Sequence, residues 1–126
     1  MSLVPVPGKD IQSFYANIRT QFPKLSGLDV WQEEDPFHSH TMTVVAREVG
    51  KWVAAGQMEE AKEFMQTIES AWRNYDDQTT SFIYTDLIVT IMELPKLQRE
   101  SLKSMMGTQT REQYQRLLSM YRESDA

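Results

Sequence analysis

The chain has no cysteine among its 126 residues, which excludes disulfides, thiolate metal sites and cysteine nucleophiles. It is almost as poor in histidine, with two, and has only five glycines, none gathered into a phosphate-cradling loop. Neither histidine stands in a patterned Ser-His-Asp context, so nucleotide chemistry and triad hydrolysis both lack a signature. No apolar run approaches the roughly 20 residues that cross a bilayer, and residues 1–8 carry neither the basic region nor the apolar core of a signal peptide. A soluble, cytoplasmic protein without a membrane partner is expected. Basic charge is also short: 13 Lys and Arg face 18 Asp and Glu, a net of -5. That balance argues against a nucleic-acid partner, because phosphate contacts need clustered cations.

What is present is helical periodicity. A chain of this length can bury about 70% of its unfolded surface without covalent staples, and one domain is expected over residues 1–126, with 1–8 as an extended lead-in broken by Pro5, Pro7 and Gly8. Asp10 can cap a first helix whose stripe is Ile11, Phe14, Tyr15, Ile18 and Phe22, ending before Pro23. An irregular stretch with Leu25, Leu28, Val30 and Trp31 follows to Pro36, part of it docked on the core. The second helix is expected from Ser39 to Ala55, buried through Met42, Val45, Ala46, Val49, Trp52 and Val53. Gly56 and Gln57 join it to a third carrying Met58, Ala61, Phe64, Met65, Ile68, Ala71, Trp72 and Tyr75. So short a link forces an antiparallel hairpin. Residues 76–94 are rich in β-branched and aromatic side chains, yet their length without Gly or Pro, and apolar residues all round, predict a central fourth helix. Pro95 opens a fifth helix with Leu97, Leu102, Met105 and Met106, ended by Gly107. Thr110 and Gln113 form a capping-box pattern for a sixth helix with Tyr114, Leu117, Leu118 and Tyr121. The fold expected is all-α: about six short antiparallel helices in an irregular orthogonal bundle or a small solenoid-like array.

Three groups of residues could carry chemistry. His38 and His40, preceded by Glu33, Glu34 and Asp35, combine ligand types suited to zinc, iron or nickel. Their spacing is unspecific, since in a helix the two histidines diverge by about 200°, and no metal or other cofactor is expected. Glu69, Asp86 and Glu93 form a possible polar cluster between the third and fourth helices. Paired carboxylates can divide acid and base roles, although capping a neighbouring helix or pairing with Arg47, Arg73 or Arg99 is the commoner use. Finally, residues 1–94 carry 14 acidic and 7 basic residues whereas residues 95–126 carry 4 and 6. The acidic Glu33, Glu34 and Asp35 are therefore candidates for contact with a basic protein partner.

Residues 37–94 also resemble an uncharacterised bacterial family of small helical proteins. The resemblance lies in the helix from Val49 to the Gly56 turn, the Ile68-Glu69 pair, and the helix ending Ile91-Met92-Glu93-Leu94. It implies an immunity or accessory role and no known active residue. The expected function is accordingly a non-enzymatic protein-interaction module. The alternative is a metal- or carboxylate-dependent enzyme using His38 and His40 or Glu69, Asp86 and Glu93.

Overall fold

The computed structural model describes residues 9–31 and 40–125, and among them no strand occurs. The fold is all-α, as the periodicity requires. Asp10 caps α1 (Ile11–Gln21) by accepting from the Ser13 N–H. Pro23 stops that helix but then occupies the first position of a further turn, α2 (Pro23–Ser26), where its missing N–H costs nothing. This turn was not expected. It buries Leu25 completely and lets the Leu25 carbonyl accept from Trp31 Nε1 at 2.9 Å, so part of the stretch after Pro23 is docked, as expected.

The hairpin forms as the spacing demands. α3 (His40–Ala54) buries Met42, Val45, Ala46, Val49, Trp52 and Val53, each at most 4% exposed. Gly56 turns the chain at φ +82°, a conformation that strains any residue with a Cβ. The Gln57 N–H then donates back to the Trp52 carbonyl at 2.8 Å, satisfying a helix-end acceptor. α4 (Met58–Asn74) buries Ala61, Phe64, Met65, Ile68 and Ala71, while the ends of its stripe emerge: Met58 is exposed, and Trp72 and Tyr75 are half-buried.

Asp76 caps α5 (Asp77–Phe82), accepting from the Thr79 N–H at 2.9 Å and its hydroxyl at 2.8 Å. The helix passes without a break through a π-helical segment, Ile83–Ile88, into α6 (Val89–Glu93). Thr85 and Thr90 donate to the carbonyls of Ser81 and Asp86 four residues back, at 2.8 and 2.6 Å. Such back-bonding competes with the regular helical ladder and favours local bending. Ile83, Leu87, Ile88 and Ile91 are at most 1% exposed, so this β-rich sequence is helical because helix geometry lets its large aliphatic side chains find cover while Ser81, Thr85 and Glu93 face outward.

α7 (Lys96–Ser104) follows Pro95, and α8 (Thr108–Asp125) closes the described chain. α3 lies at the centre, against α4, α6, α7 and the π segment, while α8 lies across α4, α6 and the π segment. Two expectations fail here. Leu97 is 72% exposed, because five residues separate it from buried Leu102 and the two sit about 140° apart at 3.6 residues per turn. α8 begins at Thr108, ahead of the expected Thr110 cap.

Replacing Ile91 with Ala should lower stability by about 2–5 kcal/mol, through lost burial and a residual cavity. Leu97→Ala should stay within about 0.5 kcal/mol of the parent. Denaturant midpoints of the two variants, measured side by side, check the assignment.

Candidate functional site

Among the described residues, Glu69 is a sequence-flagged carboxylate that the fold puts at a helix junction. It lies half-buried on α4, one turn past Met65, and points at the start of α8. The Gly107 carbonyl accepts the first helical bond of α8, from the Arg111 N–H at 2.9 Å, which makes Gly107 the cap residue. Glycine has no side chain with which to bind the free N–H groups of the first turn. Glu69 does so from another helix. Its Oε2 accepts from the Gln109 N–H at 2.9 Å, and its Oε1 from both the Thr110 N–H and the Thr110 hydroxyl at 2.8 Å. A Cβ at position 107 would come within 2.5 Å of Glu69 Cγ and Cδ. Glu69 therefore fills the place that a capping side chain at 107 would need.

The junction extends one residue further. Thr110, completely buried, accepts from Trp72 Nε1 at 2.9 Å. Carboxylate, hydroxyl and indole thus form a chain of hydrogen bonds that joins α8 to α4 and fixes the Trp72 ring. Burial alone would raise the Glu69 pKa. The Thr110 and Gln109 N–H groups, the Thr110 hydroxyl and the nearby Arg73 charge outweigh it, and hold the carboxyl below its ordinary 4.5.

The other flagged residues are dispersed. Asp86 is half-buried in the π segment, and Glu93 is exposed at the end of α6. α4 takes its main neighbours from α3, α7 and α8, so these helices intervene where a direct seam between α4 and residues 77–93 was envisaged. Among the described residues no three His, Asp or Glu side chains are placed to hold a metal ion. Glu33, Glu34, Asp35 and His38 lie outside the described residues, as does the side chain of His40, whose backbone opens α3.

Sequence reasoning missed a surface depression beside the Trp72 ring. Trp72, Tyr84, Asp77, Thr80, Gln113 and Arg116 line it, from α4, α5, the π segment and α8. The Tyr84 hydroxyl reaches the Met120 sulfur at 3.8 Å, and Met120 itself is 53% exposed. The available signal was the end of the α4 stripe: Trp72 sits where the core-facing row runs out, so part of a large aromatic is left over.

The Glu69 arrangement sets a pH dependence. A carboxyl with a lowered folded pKa contributes stability above its unfolded pKa, near 4.5, and loses that contribution as pH falls through the folded value. Glu69→Gln should thus cost about 1–2 kcal/mol at neutral pH, and the gap to the parent should narrow as the medium is acidified below that range. Denaturation curves of both proteins across pH 2–7 provide the check.

No curated protein and no solved structure matches the chain. A family model does, over residues 15–122. The match reaches well beyond residues 37–94 on both sides and takes in α1 from Tyr15 onward together with the Glu69–α8 junction. The chain belongs to the family described as Domain of unknown function (DUF7674).

Proposed function

We propose that this chain is a non-enzymatic protein-interaction module, a cytoplasmic bacterial protein of immunity or regulatory type whose helical surface binds a basic partner. The observation that carries the reading is the distribution of its carboxylates. Glu59, Glu63, Asp77 and Glu93 are spread over the exposed faces of α4, α5 and α6, within a segment that carries twice as many acidic as basic residues. Dispersed exposed charge acts through long-range attraction and orientation of a partner, which needs no convergent geometry. Glu69 has both oxygens engaged by α8 and is occupied in holding the fold. Among the described residues no helix is long and apolar enough to cross a membrane.

The acidic group Glu33, Glu34 and Asp35 tests the reading. Changing all three to amides should slow association with the basic partner several-fold at low salt and flatten its salt dependence, while stability shifts by no more than about 0.5 kcal/mol. Partner capture followed by association kinetics at two ionic strengths provides the measurement. An unchanged rate and salt slope would contradict recognition through these charges.

A further inference from the structure

We propose that Met120 is a modification site. A peroxide converts its exposed thioether to the sulfoxide, and the Tyr84 hydroxyl then donates to the new oxygen, bracing α8 against the π segment. The inference is independent of the interaction-module reading and concerns the chemistry of one side chain.

The methionines divide by exposure. Met42 and Met65 are completely buried and Met106 is 5% exposed, whereas Met58 and Met120 are 42% and 53% exposed. A dissolved oxidant meets the exposed sulfurs first. What sets Met120 apart is its neighbour, since the Tyr84 hydroxyl donates to its sulfur at 3.8 Å. A thioether is a weak acceptor, and this gap is about 1 Å longer than an O–H···O bond of about 2.7 Å. A sulfoxide oxygen is polar, and the space between sulfur and hydroxyl suits it. The flexible methionine side chain can swing that oxygen towards the hydroxyl. In a core the same change would bury an unpaired polar group. Here one donor is already in place and solvent meets the rest.

The position gives the change a structural effect. α8 is pinned at its start by Glu69 and packs through Tyr114 and Leu117, after which Ser119 and Met120 are exposed. Tyr84 belongs to the π segment, against which α8 lies. A stronger Tyr84–Met120 bond would hold the helix beyond the point where burial ends.

The step needs only a peroxide. A sulfur lone pair attacks one peroxide oxygen, the O–O bond breaks and an S–O bond forms. Sulfur loses two electrons, and with hydrogen peroxide the departing hydroxide takes the proton from the transferred oxygen and leaves as water. A dithiol reductant reverses the change, giving the thioether, a disulfide and water.

The test treats the full-length protein with hydrogen peroxide while NMR follows isotope-labelled methionine methyl groups and the Tyr84 ring. The expected result is full conversion of Met120 while Met42, Met65 and Met106 stay reduced, with the Tyr84 signals moving in the same step. Methionine sulfoxide reductase with a dithiol should restore both. Denaturation curves of the parent and Tyr84→Phe, each reduced and oxidised, then measure the coupling. The change in folding constant on oxidation should be about fivefold more favourable with Tyr84 than with Phe, the worth of one ordinary hydrogen bond. Oxidation of Met58 is common to both proteins and cancels in that comparison. Should the variant not fold, the Tyr84 signals of the parent decide alone. Oxidation of the buried methionines ahead of Met120, Tyr84 signals unmoved as the sulfoxide forms, or equal effects of oxidation in the two proteins would overturn the inference.

Discussion

The carboxylate of Glu69 stands in for a side chain that α8 does not have. Helix starts in proteins usually carry their own cap, two or three residues from the N–H groups it satisfies. Here the cap position is Gly107, and the cap arrives from α4, some 40 residues upstream, through three hydrogen bonds of 2.8–2.9 Å. A local feature of one helix has thereby become a tertiary contact. The start of α8 is stabilised by α4, and the close approach of Glu69 depends on residue 107 lacking a Cβ.

The surface inherits its geometry from that junction. Thr110 sits between the carboxylate and the Trp72 indole, so the same hydrogen-bond chain that anchors α8 also sets the aromatic wall of the depression beside α5 and α8. Tyr84 enters from the π segment, where the Thr85 hydroxyl bonds to a carbonyl one turn back, as the Thr90 hydroxyl does in α6. Glu69 points into the junction and Asp86 is half-buried, whereas Glu59, Glu63, Asp77 and Glu93 are exposed. That division is the physical basis for reading the molecule as a binding surface rather than a chemical centre.

How much of this was legible in the sequence follows from how far apart the interacting residues lie. The α3 and α4 stripes were legible because burial on a helix repeats every three or four residues, and the Gly56 turn was legible because the link is short. Leu97 was assigned to the core by residue type, although its angle from Leu102 points it outward. Pro23 was read as a stop and not also as a start, so α2 went unforeseen. The Thr110–Gln113 pattern signalled a helix start at the wrong residue, since the true cap comes from a distant helix. Glu69 was singled out with Asp86 and Glu93, but nothing local distinguishes the acid that meets a helix end from those that do not. The depression was hidden for the same reason: its walls come from four separate elements.

The central claim is that Glu69 and the missing Cβ of Gly107 are two halves of one cap, and a double-mutant cycle tests it most directly. Gly107→Ser in the parent protein should destabilise by about 1–3 kcal/mol, because the new side chain collides with Glu69. In a Glu69→Ala background the collision is gone and the serine can cap its own helix. There the same substitution should be neutral or stabilising by a few tenths of a kcal/mol, roughly the advantage of Ser over Gly at a cap. A reversal of sign between the two backgrounds is the predicted result. Equal destabilisation by Gly107→Ser with and without Glu69 would show the two positions to be independent, and would contradict the account.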